Sequence, residues 1–148
     1  MKNYDLSQYV LRAGNAMIFP LTQEEVSILC DGEDAFSKYI RMPYFAKSQK
    51  VEDLQKLTND IDMENEFWFL NTLWVSVDIK ARAIIGYLRL EKVDQFNKII
   101  FQVTDDKCES ITREDVFELF YKFLIANNYY NIVYEDIDKK AVANEVYL

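Results

Sequence analysis

Histidine is missing from all 148 positions of this chain. That absence removes the Ser-His and Cys-His nucleophile pairs, the imidazole general base and every His-ligated metal site. Cysteine is almost as scarce: Cys30 and Cys108 lie far apart and without CxxC spacing. They cannot complete a structural zinc site, and they read as free thiols in a reducing compartment. No metal is expected, and any catalysis is left to Asp, Glu, Tyr, Lys, Cys and backbone groups. There is no basic stripe either. The net charge is −8, the longest basic feature is the pair Lys139-Lys140, and nucleic acid needs a cationic surface to displace its counterions. Nucleic acid is therefore not an expected partner. The opening MKNYDLSQYVLRAG has no apolar h-region, and nowhere is there an apolar run of about 18 residues. The expectation is a cytoplasmic protein that does not enter a membrane.

What the chain does contain is apolar bulk. Half of its residues are hydrophobic, with ten Tyr, ten Phe and two Trp, enough for one domain over 1–148 with a sizeable core. The aromatics are expected inside that core. Only three glycines and two prolines punctuate the chain, and there is no repeat or low-complexity segment.

Leu6, Tyr9 and Val10 share a helical face, so 5–13 is expected to form a short helix in an N-terminal helical extension, 1–15. Met17 to Leu21 reads as a strand. Thr22-Gln-Glu-Glu25 is a capping box that opens a helix through Val26, Leu29 and Cys30, ended by Asp31-Gly32. A second short helix holds Phe36, Tyr39 and Ile40 and stops before Pro43. The spacing of Val51, Leu54, Leu57 or Thr58, and Ile61 predicts a third over 50–62. The pattern then changes to β-branched and aromatic runs, FWFLNTLWVSV (67–77), AIIGYLRL (83–90) and KIIFQV (98–103), joined by hairpin-length turns. These predict an antiparallel meander. Val116, Phe120, Phe123 and Leu124 recur at i, i+4, i+7 and i+8 in a helix closed by Asn127-Asn128. YYNIVYEDI (129–137) is the next strand, parallel to 98–103 because a helix lies between them. A final helix begins near Lys139. The fold class is α+β with a mixed sheet.

This order, with MIFPLT before a capped helix and an "IIG" opening the third strand, resembles the GNAT superfamily of N-acetyltransferases over roughly residues 16 to 148. The resemblance implies acetyl-CoA as cofactor and an amine, on a small molecule or a peptide, as acceptor. It also implies a crossover loop whose backbone amides hold the pyrophosphate, in a family pattern written Q/R-x-x-G-x-G/A. Here that pattern falls on Lys107-Cys108-Glu109-Ser110-Ile111-Thr112. The cofactor-binding set it implies is Gln102, Val103, Thr104, Lys107, Ser110, Ile111, Thr112 and Arg113. Tyr147 would stand for the tyrosine that protonates the leaving thiolate. Ser110 and Thr112 replace glycines, although the loop needs dihedrals and close backbone approaches that favour glycine. Asp105, Asp106, Glu109, Glu114 and Asp115 oppose only Lys107 and Arg113, against about half a positive charge at a helix N-terminus. Thr112-Arg-Glu-Asp115 also resembles a self-capping helix start. The loop thus reads as an anion site in location, weakened in chemistry.

For a general base, Glu91 at the end of the third strand is the candidate, with Glu135 and Asp136 on the last strand as others. The family usually adds two strands after the last helix. None follows here before Leu148, so the sheet edge is expected to be covered by a second subunit or left in a short variant. Three readings stay open: an acetyltransferase, a catalytically inactive GNAT-like binding or assembly module forming a homodimer, and an unrelated α+β domain with no ligand.

Overall fold

A computed structural model describes residues 9–44, 49–103 and 113–136. Among these residues six strands form one sheet in simple sequential order, β1 to β6. β1 (Leu11–Ala13) and β2 (Ala16–Pro20) make a hairpin. Residues 11–13 are thus strand, not the helix that the spacing of Leu6, Tyr9 and Val10 led us to expect; 1–8 lie outside the described residues. The reason is the two-residue turn Gly14-Asn15, a Gly-Asn pair with Gly14 at φ 59, which suits the tight hairpin turns that need a left-handed residue. β1 needs that pairing, since three residues cannot hold a strand alone.

The capping box forms as the sequence predicts. The Glu25 N–H donates to Thr22 Oγ1 at 3.2 Å, and the Thr22 N–H donates to Glu25 Oε1 at 3.0 Å. It opens α1 (Gln23–Cys30). α2 (Glu33–Ile40) follows and ends at Arg41 in the left-handed region, φ 61. α3 is Val51–Asp60. Gln23 Nε2 donates to the carbonyls of Thr58 at 2.7 Å and Ile61 at 3.1 Å. This pins the start of α1 to the end of α3 and satisfies carbonyls that a helix end leaves open.

β3 spans only Leu73–Asp78, and Trp68–Leu70 is a 3-10 turn. The expected strand over 67–77 is therefore shorter by its first six residues. Trp68, Phe69 and Leu70 all enter one core cluster, whereas a strand would send alternate residues to opposite faces. A turn puts all three on the same side, and the Trp74 indole N–H closes it by donating to the Phe69 carbonyl at 2.7 Å.

β4 (Ala83–Val93) and β5 (Phe96–Val103) complete the antiparallel meander. Ser76 faces Gly86 and Val77 faces Ile84, so Ile85 is an extra residue, a bulge that reorients β4. α4 (Arg113–Ala126) then crosses to β6 (Ile132–Asp136), which runs parallel to β5 as expected. Asn127 and Asn128 end α4, with Asn128 at φ 64. The final helix expected near Lys139 lies outside the described residues.

Helices cover both faces of the sheet. On one face Trp68, Trp74, Ile85, Leu88 and Ile99 pack against Phe120 and Leu124 of α4. On the other, Val75, Ile84 and Tyr87 pack against Val26, Phe36 and Leu54 of α1 to α3. Trp68, Phe69 and Trp74 are thus core, 2%, 5% and 0% exposed, whereas Phe67 is exposed.

Candidate functional site

Strand pairing places the site. In β4 and β5, Tyr87 lies opposite Gln102, Arg89 opposite Ile100 and Glu91 opposite Lys98. Because side chains alternate, these six share the face that looks toward α3. Between that face and α3 is a cavity of about 130 Å³, lined in part by Gln49, Asp53, Leu57, Tyr87, Arg89 and Gln102. The amide of Gln49 donates to Gln102 Oε1 at 2.8 Å. The segment before α3 is thereby tied to the carboxyl end of β5. The cavity has an apolar floor and a polar rim, the usual build of a small-molecule site.

Tyr87 is 3% exposed, and its hydroxyl has no hydrogen-bond partner among the described residues. Burial pushes its phenol well above the ordinary tyrosine range, and the nearby Glu33 carboxylate adds to the shift. It stays protonated, a donor and not a base. Outward along the same face the sheet is ionic. Arg89 Nη2 lies 3.9 Å from Glu91 Oε2, and Lys98 Nζ lies 3.0 Å from Glu135 Oε2.

The β5–β6 ladder is continuous over five pairs, from Asn97↔Ile132 to Phe101↔Asp136. Gln102 and Val103 pair with Tyr87 and Gly86 of β4, and the positions after Asp136 lie outside the described residues.

The sequence-derived candidates divide accordingly. Gln102 lines the cavity. Val103 ends β5 and Arg113 begins α4, so both flank the crossover connection. Glu91 lies beyond the lining, half exposed beside Arg89. Glu135 is held by Lys98. Thr104, Lys107, Ser110, Ile111, Thr112 and Tyr147 lie outside the described residues, as does Cys108. Cys30 carries a free thiol, its Sγ 3.8 Å from the Val51 carbonyl oxygen. Burial and then Asp31 raise its pKa, so it is a poor nucleophile at neutral pH. Among the described residues no cluster of three or more His, Cys, Asp or Glu could hold a metal ion, and no helix is long and apolar enough to cross a membrane.

Sequence reasoning missed Gln49, Asp53, Tyr87 and Arg89. Pairing the meander on paper would have found part of the set, because Tyr87 and Arg89 follow from the alternation that includes Glu91.

No protein-family model and no curated protein matches this sequence. Solved structures do match. The ribosomal-protein-S5-alanine acetyltransferase of Vibrio fischeri superposes with a TM-score of 0.53 at 13% identity, over 88% of this chain and 75% of that one. The fold is GNAT-like. A GNAT-family acetyltransferase from Bacillus anthracis superposes at a TM-score of 0.47 and 13% identity, over 84% of this chain and 72% of that one. In the GNAT-like frame the cavity sits at the carboxyl end of the strand that leads into the crossover connection.

Proposed function

We propose that this chain transfers an acetyl group from acetyl-CoA to an amine held in the cavity between α3 and the β4–β5 face. The carrying observation is that the cavity reaches Gln102, the first residue of the cofactor-binding set that the resemblance implies, at the end of β5. Gln102, held beside Gln49 at the cavity's polar rim, can offer its side-chain amide to the polar arm of acetyl-CoA.

When bound, acetyl-CoA supplies an activated acyl carbon: the amine nitrogen bonds to it, the C–S bond breaks, and the thiolate leaves and takes up a proton. The chain's part is to orient the amine and move protons. Asp53 lines the cavity and would accept the ammonium proton, and Glu91, beyond the lining, is the second carboxylate. Tyr147 would return a proton to sulfur. The crossover residues Thr104, Lys107, Ser110, Ile111, Thr112 and Arg113 would hold the phosphates. The proposed setting is the cytoplasm.

The test is release of free CoA thiol from acetyl-CoA in the presence of a panel of amines. Amine-dependent release that drops roughly tenfold or more in Asp53→Asn supports the proposal. Acetyl-CoA binding without release on any amine would favour the inactive binding module instead. That reading draws on the uninterrupted β5–β6 pairs and the glycine-free, acidic connection. Light scattering would then show whether the module forms a homodimer.

A further inference from the structure

The charges around the cavity select among amines. Within its described lining Asp53 is the single acid and Arg89 the single base, with the amides of Gln49 and Gln102 beside them. None of the ion pairs between described residues involves Asp53. Among the described residues the acid facing Arg89 is Glu91, an ion pair at 3.9 Å, beyond hydrogen-bond length. Its forked N–H donors can therefore meet a ligand carboxylate, the pairing that guanidinium geometry favours. A carboxylate and a guanidinium on one small cavity, not neutralising each other, complement a ligand that carries both an ammonium and a carboxylate.

Size points the same way. At about 130 Å³ the cavity approaches the ~150 Å³ that encloses a benzene ring, about six non-hydrogen atoms. That suits a free small amino acid and leaves no room to enclose several residues of a peptide. A polyamine would meet Arg89 with like charge.

Resting on the acetyl-transfer reading, we infer that the acceptor is a small zwitterionic amine, its carboxylate held by Arg89 and its amine by Asp53.

The probes are glycine, L-alanine, β-alanine and γ-aminobutyrate, which vary the charge separation, with propylamine and propanoate as single-charge controls. Amide chemical shifts of the full chain are followed in each titration, without acetyl-CoA. Expected is saturable binding of at least one zwitterion, roughly tenfold tighter than either control. Arg89→Gln and Asp53→Asn should each remove that preference, and Arg89→Lys should restore part of it. Both side chains are exposed, so the variants should keep the wild-type circular dichroism spectrum. Propylamine binding as tightly as every zwitterion would overturn the inference. So would unchanged zwitterion binding in both variants, or no saturable shift with any of the four amino acids. Zwitterion binding without thiol release supports this pocket assignment and overturns only the transferase reading. Release with propylamine but not with the zwitterions does the reverse.

Discussion

At the scale of single residues, two aromatic positions on opposite faces of the sheet show how differently a buried polar atom can be treated. Trp74 is fully buried, and its indole N–H reaches the Phe69 carbonyl at 2.7 Å. Trp74→Phe leaves that carbonyl without its donor and opens a void, so urea denaturation should show a loss of about 2–4 kcal/mol. Tyr87 is almost as buried, yet its hydroxyl finds no partner among the described residues. Tyr87→Phe should therefore leave stability unchanged or raise it by up to about 1 kcal/mol. The pH dependence follows from the direction of the Tyr87 shift. Burial, and then Glu33, holds its folded-state pKa above the unfolded value, so the protected neutral phenol contributes stability that is intact below the unfolded pKa of about 10. That contribution declines as the pH rises above 10. Thermal melts between about pH 8 and 11 should fall more steeply for wild type than for Tyr87→Phe; parallel curves would contradict the assignment.

At the scale of elements, local chemistry made most of the chain legible. Thr22 and Glu25 announce α1 because a capping box satisfies helix N–H groups from its own side chains. Thr22→Ala should cost about 1 kcal/mol in denaturant midpoint experiments, and an unchanged midpoint would mean the cap is redundant. The meander and β6 were legible as β-branched and aromatic runs bounded by polar turns, and α4 by its 3.6-residue apolar period. β1 was not, because Leu6, Tyr9 and Val10 mimic a helical face and the Gly14-Asn15 turn is a two-residue signal beside them. Nor was the turn at Trp68–Leu70, because three consecutive bulky side chains carry no period at all. Their placement is decided by a core that does not exist until α4 and Trp74 are present.

At the scale of the whole molecule, the site was legible only at its edges. Gln102 could be placed because it ends a clear strand, and Glu91 because it follows one. Asp53 and Arg89 are 36 positions apart in the sequence and meet on one cavity only because α3 folds over the β4–β5 face. Nothing local marks either of them. The same geometry states what is at stake in the fold. Gln102 joins the Gln49 amide at 2.8 Å to the last pairs of β5, so the cavity and the exit of β5 form one structure. The central claim is that this exit serves acetyl-CoA despite a connection without glycine. Its most direct test is a calorimetric titration of the full chain with acetyl-CoA, and with CoA, at low salt. The account predicts saturable binding in the micromolar range. No heat at millimolar acetyl-CoA would contradict it.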